Sequence, residues 1–242
     1  MKSLNALIAS VGILASSLFI SSCDNDGYSL GDFAVNIATV NPGDGNAYSL
    51  TLDDGTTLWP ASQNFFYKPK ENQRALINYT PLQDNYEGYD LAVKVNDIVN
   101  VLTKNPTVLN TATADSLGND PIRINDYWIG DGYLNVYFSI GITPYGNTKH
   151  FINLAKNELN GKENYYNLLH NAYNDGGTYR GNGYVSFNLD ALKVEGETNV
   201  VFTIAVNTGE NEMKEYAINY DWAEPEKAPK IISSQKHIIQ MY

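Results

Sequence analysis

The sequence predicts an all-β protein built in two parts. Short segments in which apolar and polar residues alternate recur along the chain, and clusters of Gly, Asn, Asp and Pro separate them. Alternation with a period of two is typical of strands that bury one face. Between residues 105 and 121 the alternation stops and Thr, Asn, Asp and Gly dominate. We therefore predict a linker at 105–121 between a first β part at 31–104 and a second at 122–222.

A leader of exported lipoproteins precedes the β segments. Lys2 supplies a basic start and an apolar run follows from Leu4 to Ile20. The run ends in a lipobox, in which a small residue stands just before the lipidated cysteine and a branched apolar residue two positions further back: Ile20, Ser21, Ser22 and Cys23. We predict a signal peptide at 1–22, palmitate on Cys23 and an acidic tether at 23–30. An uncleaved anchor, or an ordinary signal peptide with a chance cysteine, is the alternative.

The first part contains five predicted strands. The second and third flank Asp53-Asp54-Gly55, which has the composition of a tight hairpin turn. The predicted strands are Phe33 to Ile37, Tyr48 to Leu52, Thr57 to Trp59, Arg74 to Thr80 and Tyr89 to Val101.

The second part opens with a predicted hairpin around Gly130-Asp131-Gly132. Its second strand places Leu134, Val136, Phe138 and Ile140 on one face and Tyr133, Asn135, Tyr137 and Ser139 on the other. Glu163 to Tyr173 also fits a helix, but its flanking glycines favour a strand. The run Arg180 to Gly183 is predicted to connect strands. For the tail, 223–242, we expect its isoleucines to dock on an edge strand. Further predicted strands are His150 to Ala155, Tyr166 to Asn171, Tyr184 to Leu189, Val200 to Val206 and Lys214 to Tyr220.

Composition and charge exclude several classes of function. The formal net charge is −11, and the 16 basic residues form no cluster that would bind nucleic acid. Cys23 is the only cysteine, so an intramolecular disulfide is impossible. The acidic balance favours a basic partner through long-range attraction.

The residues that could carry catalysis have simpler structural interpretations. The three histidines lie on separate elements without metal-binding spacing, so we predict no metal and no cofactor. Asp53 with Asp54, and Asp126 with Asp131, could serve glycoside hydrolysis. All four lie in or beside turns that contain glycine, and the turn interpretation is favoured. We therefore predict that the protein is not an enzyme, with a carboxylate-dependent hydrolase as the least favoured alternative.

Ligand binding is a more plausible role for this sequence than catalysis, and its aromatic residues are the candidates for it. The 18 tyrosines offer flat rings suited to sugars or peptides, although strand propensity equally accounts for them. The predicted ligand face consists of Tyr133, Tyr137, Tyr145 and Tyr179. Trp59 and Trp128 are predicted to lie in the core.

Several motifs together resemble the NigD-like lipoproteins over nearly the whole mature chain. Besides the lipobox they are Tyr28 to Phe33, Leu52 to Pro60, Arg74 with Tyr79, and Trp128 to Val136. The resemblance implies an N-terminal OB-type barrel followed by a C-terminal β-sandwich. It brings no catalytic residues, and the family takes its name from an operon for the bacteriocin nigrescin.

The resemblance also sets expectations for function and location. We expect a lipid-anchored, non-enzymatic envelope protein that binds an extracellular protein or peptide such as a bacteriocin, with surface glycan binding as the alternative. The acidic residues after Cys23 are similar to a Bacteroidota signal for the outer face of the outer membrane. Ser116, within Asp115-Ser116-Leu117, resembles an O-glycosylation acceptor in such proteins.

Overall fold

The computed structural model describes residues 31–144, 146–210 and 213–223. The fold is all-β, with a closed five-stranded barrel followed by a sandwich of two sheets, as predicted. No helix in the described part of the chain is long and apolar enough to span a bilayer. The predictions for the leader, for Cys23 and its lipobox, for the tether and for residues 224–242 lie outside the described residues.

The N-terminal barrel closes because its first strand pairs on both sides. The barrel strands are β1 (Ala34–Pro42), β2 (Tyr48–Leu52), β3 (Thr57–Gln63), β4 (Gln73–Tyr86) and β5 (Tyr89–Asn100). They follow the order β1-β2-β3-β5-β4, and β1 pairs again with β4. Within the barrel only the β3 and β5 pair is parallel. Fully buried Val40, Leu50, Leu58, Ile77 and Val93 fill the interior, so each strand has an inward apolar face.

The C-terminal sandwich packs a five-stranded sheet against a four-stranded sheet. Its elements are β6 (Leu102–Lys104), β7 (Thr107–Leu109), α1 (Ala114–Leu117), β8 (Ile122–Gly130), β9 (Tyr133–Ile142), β10 (Phe151–Asn157), β11 (Tyr165–Asn171), β12 (Tyr179–Asn188), a 3-10 helix (Leu189–Leu192), β13 (Asn199–Val206) and β14 (Lys214–Asp221). The five-stranded sheet has the order β14-β13-β11-β10-β7 and the four-stranded sheet the order β6-β12-β9-β8. Fully buried Phe138, Phe187 and Phe202 lie between the two sheets. The predicted strand across Glu163 to Tyr173 is confirmed as β11.

The structure divides the chain differently from the predicted boundary. β6, expected within the first part, pairs with β12, and β7, expected within the linker, pairs with β10. The helix α1 packs Leu117 against Ala155 and Leu169 of the sandwich. The segment 105–121 is therefore part of the sandwich. Strands of three residues are too short to show alternation, which is why the sequence pattern missed them.

The glycine-rich run before Tyr184 was also misassigned. It was expected to connect strands, but it belongs to β12, which begins at Tyr179. Gly181 and Gly183 are buried on the core side of that strand. Glycine weakens strand propensity, and the register with β9 overrides this local preference.

A buried guanidinium joins the barrel to the sandwich. Arg74 on β4 is fully buried. Its Nη2–H group donates to Asp53 Oδ1, and its Nη1–H group donates to Thr39 Oγ1 at 2.8 Å. Asp53 Oδ2 accepts from Trp128 Nε1 at 2.6 Å and from Asn135 Nδ2 at 3.2 Å. The barrel thus supplies the closer ion pair, and the sandwich completes its hydrogen bonds and adds Asp131, whose Oδ2 lies 3.8 Å from Arg74 Nη1.

We call this network of Arg74, Asp53, Thr39, Trp128 and Asn135 the interdomain joint. Further residues on the outer face of the four-stranded sheet pack against it. The Tyr133 ring lies 4.9 Å from the Arg74 guanidinium carbon, and Ser186 Oγ donates to Asn135 Oδ1 at 2.7 Å. A Cβ on Gly130 would lie 2.2 Å from Asp53 Cβ, so only glycine allows this approach. Buried Trp128 packs with Ile37, Leu76 and Val101 beside the network.

We expect Asp53→Asn to destabilise the protein by about 3–5 kcal/mol, because it removes the closer of the two carboxylates that pair with the buried Arg74 charge. Urea unfolding measures this loss as a lower midpoint. Asp54→Asn is the matched control: Asp54 Oδ1 accepts from the Thr56 amide at 3.0 Å, and asparagine keeps that acceptor. Equal midpoints for the two variants would show that Arg74 does not depend on Asp53.

Candidate functional site

The described residues form a cleft of about 340 Å³ on the sandwich. Arg123 of β8 lies opposite Ser139 of β9, and Arg180 of β12 lies opposite Gly141 of the same strand. Directly opposed residues share a face, as do residues two apart on one strand. Both arginines therefore flank a stretch of β9 that carries only a serine and a glycine.

Neither arginine of the cleft has a partner within the described residues. Arg123 and Arg180 are both exposed. Apart from the His150–Asp175 contact, the ion pairs of the described chain are those of Arg74 with Asp53 and Asp131, and of Lys162 with Glu215. Two guanidinium groups are therefore available to a ligand in the cleft.

One wall of the cleft is backbone packed on backbone. A Cβ on Gly177 would lie 1.8 Å from the Ile142 carbonyl carbon, and one on Gly141 would lie 2.9 Å from the Gly177 carbonyl oxygen. Glycine is required at Gly177, because that closer neighbour is backbone and cannot turn away. The loop that leads to β12 is thereby held against the end of β9. Thr178 and Tyr179 follow on this wall.

A chain of ring nitrogens ends at Pro121, a residue of the cleft wall. His150 Nδ1 lies 2.9 Å from His170 Nε2, and His150 Nε2 lies 3.0 Å from Asp175 Oδ2. At the other end, His170 Nδ1 lies 3.1 Å from the Pro121 carbonyl oxygen. Pro121 also lines the cleft, so the chain runs from one cleft wall towards the loop of the other.

The two ends of this chain determine which of its outer nitrogens donate. A carbonyl and an ionised carboxylate only accept hydrogen bonds, so the outer nitrogens of both histidines donate. Hydrogen bonds from Thr143 and His150 lower the pKa of Asp175 to about 2, which keeps that carboxylate ionised.

The structure places the predicted ligand face in three different environments. Tyr133 is buried in the interdomain joint, so the expectation that it is exposed was wrong. Tyr137 stacks on Tyr184, with ring centroids 4.8 Å apart. Tyr179 is 63% exposed and lines the cleft. Tyr145 lies outside the described residues.

Alternation along β9 explains the correction. The pattern separated an apolar face from a polar one, and the apolar face lies in the sandwich core as expected. Solvent was expected on the polar face, but the barrel covers its Tyr133 and Asn135 end. A period of two shows which residues share a face and does not show what covers it.

The structure also gives the environments of the other residues that the sequence singled out. Ser116 is exposed on α1 and its hydroxyl donates to the Thr113 carbonyl at 2.9 Å, and its glycosylation stays a prediction. Trp128 is buried as predicted, whereas Trp59 is half-buried beside Tyr89. Both carboxylate oxygens of Asp53 accept hydrogen bonds within the interdomain joint, Oδ1 from Arg74 and Oδ2 from Trp128.

Sequence reasoning missed the histidine pair and the two arginines. The register of β10 with β11 pairs Ile152 with His170, which brings His150 beside His170. The sequence feature that could have identified the histidine pair is this hairpin register. The register could not be assigned from the sequence, because Glu163 to Tyr173 also fits a helix. Among the described residues, no group of three or more His, Cys, Asp or Glu could hold a metal ion.

We expect the free energy of unfolding to decrease as the pH falls from about 6.5 towards 5. Burial lowers the pKa of His170, although the Pro121 carbonyl and Asp120 oppose the shift, and His150 adds to it. The unfolded chain therefore takes up a proton that the folded chain refuses, so stability falls with the pH. Urea unfolding at several pH values measures this slope.

His170→Gln should remove that part of the slope, since glutamine does not titrate. The carboxylate of Asp175 does not interfere, because its contribution is lost only as the pH falls from about 4 towards 2. An unchanged slope in the His170→Gln variant would contradict the low pKa of His170.

Comparisons with known proteins support one family. The NigD-like N-terminal OB domain matches residues 37–101, and the NigD-like C-terminal beta sandwich domain matches residues 105–220. No curated protein matches the sequence.

Three solved structures share the fold. A protein described as toxin related, from Parabacteroides distasonis, is 39% identical, with 79% of this chain and 94% of that chain covered and a TM-score of 0.69. A protein of unknown function from Bacteroides vulgatus is 28% identical, with 83% and 96% covered and a TM-score of 0.68. A NigD-like immunity protein from Bacteroides caccae is 20% identical, with 81% and 99% covered and a TM-score of 0.64. The two domain matches together span most of the chain, and with the barrel and sandwich that they describe, this protein belongs to the NigD-like family.

Proposed function

We propose that this chain is a lipid-anchored, non-enzymatic protein of the outer membrane surface that binds a protein or peptide. The observation that carries the proposal is the cleft: two arginines without partners in the described chain and the exposed Tyr179 ring surround a floor of Ser139 and Gly141. Arginine and tyrosine are the residues that most often dominate binding between proteins. A cleft of this size also lies within the range that accommodates a small ligand group.

The toxin-related description of the 39% identical protein supports a bacteriocin as the partner. The positions of the acidic residues favour binding over hydrolysis. Asp53 is held by Arg74, and Asp54 caps a turn. Asp126 accepts from the Tyr127 amide at 2.8 Å, so each has a structural use.

Glycan binding is the second candidate, and the exposed ring of Tyr179 favours it. A flat ring at the rim of a cleft can stack on a sugar face. A glycan-array signal that disappears in Tyr179→Ala would favour this candidate over a protein partner.

We expect Cys23→Ala to remove palmitate labelling, because the thiol is the group that the lipid modifies. The protein should then leave the membrane fraction or keep its leader. Metabolic labelling and fractionation measure both results. Ser16→Ala, a leader change outside the lipobox, should label normally. Continued labelling of Cys23→Ala would refute the lipobox.

Protease treatment of intact cells tests the proposed surface location. Protease added to intact cells should degrade the wild-type protein. Protection from the protease would place the protein on the periplasmic side and contradict the proposed surface location.

We expect a photoreactive residue at the cleft to capture the partner. Tyr179→benzoylphenylalanine in living cells should give a discrete adduct on a denaturing gel after irradiation, because position 179 is exposed on the cleft wall. Val201→benzoylphenylalanine is the matched control. Val201 is 60% exposed, close to the 63% of Tyr179, but lies on the other sheet. Absence of an adduct at 179, or equal adducts at both positions, would contradict a protein partner at the cleft.

A further inference from the structure

We infer that the cleft is an anion site in which Arg123 and Arg180 bind carboxylate groups of an acidic peptide segment. The peptide part of this inference rests on the proposed function. The anionic part rests on the geometry of the cleft.

The distribution of arginine is the first argument. The chain contains three arginines among 16 basic residues. Arg74 is buried in the interdomain joint, and the other two both line the cleft. Arginine presents a planar fork that matches a carboxylate, whereas lysine is a point charge. The residue type best suited to carboxylates is thus concentrated at one place on the surface.

The register of the sheet sets the spacing of the two charges. Arg123 and Arg180 lie on strands to either side of β9, at positions two residues apart along it. Two strand spacings and two residues of rise separate their Cα atoms by about 12 Å. Because Ser139 and Gly141 between them are small, a ligand can lie on the backbone of β9 with a guanidinium on each side.

The lack of internal partners is the third argument. The chain has 27 acidic residues, yet no acid in the described ranges forms an ion pair with Arg123 or Arg180. The acid near this wall, Asp175, is held by Thr143 and His150. The cationic groups of the cleft therefore remain free for an external anion.

The local charge of the cleft is opposite to the charge of the whole chain. The net charge of −11 repels an acidic ligand at long range. Salt screens that repulsion beyond about 8 Å at physiological ionic strength, while Arg123 and Arg180 act at contact distance. The net charge favours a basic partner, whereas the cleft favours an acidic group on that partner.

The test uses fluorescence polarisation with the full chain in detergent micelles. The probes are labelled peptides: three Gly-Glu repeats with an amidated end, three Gly-Gln repeats with an amidated end, and three Gly-Gln repeats with a free end. We expect the glutamate peptide or the free-ended peptide to bind and the amidated glutamine peptide not to bind. The first outcome assigns the site to side-chain carboxylates and the second to a terminal carboxylate.

Arg123→Gln and Arg180→Gln should each weaken the binding at least about tenfold. Lys68→Gln makes the same change of charge on an exposed residue of the barrel and should leave the affinity within about twofold. The inference is overturned if the amidated glutamine peptide binds as tightly, if the arginine variants bind unchanged, or if only an acidic sugar polymer such as polygalacturonate binds. An adduct at position 179 without carboxylate dependence would overturn this inference alone. Peptide binding without an adduct in cells would overturn the proposed function alone.

Discussion

The arrangement of the two domains depends on the buried ion pair between Arg74 and Asp53. A buried guanidinium requires a paired charge, since removal of its counter-ion leaves an uncompensated buried charge. Here the barrel provides the closer counter-ion, Asp53, and Trp128 and Asn135 of the sandwich complete the hydrogen bonds of that carboxylate. Neither domain can satisfy the network without the other, so separation of the domains would expose a charged cluster that each half leaves incomplete.

This network also determines which part of the four-stranded sheet is available to a ligand. Tyr133 and Asn135, at the start of β9, face the barrel, whereas Ser139 and Gly141, near its end, form the cleft floor. At about 3.3 Å per residue, the eight steps from Tyr133 to Gly141 cover about 26 Å. One face of one strand thus serves the interdomain joint at one end and the candidate site at the other, far enough apart that the barrel does not cover the cleft.

The sequence predicted the individual strands and turns well, but it did not predict which distant residues come into contact. All five barrel strands and the hairpin turn at Asp53-Asp54-Gly55 showed alternation or turn composition, which depend on neighbouring residues. β6 and β7 depend on pairing with distant strands, and three residues carry no periodic signal. The same limit applies to the site: Tyr179 was predicted as a ligand residue because it is a tyrosine, but Arg123 and Arg180 meet only through the register of three strands.

The chain of His150, His170 and Asp175 bears on how the cleft would bind rather than on what it binds. It ties Pro121 on one wall to the loop that carries Gly177 on the other, and the close contact of Gly177 with Ile142 fixes that loop against β9. Charge-assisted hydrogen bonds are about twice as strong as neutral ones. A wall held in this way loses little conformational freedom when a ligand arrives, and preorganisation of this kind reduces the entropic cost of binding. The two arginine side chains are then the principal groups that must be ordered, so the affinity of the cleft should depend mainly on the charge they meet.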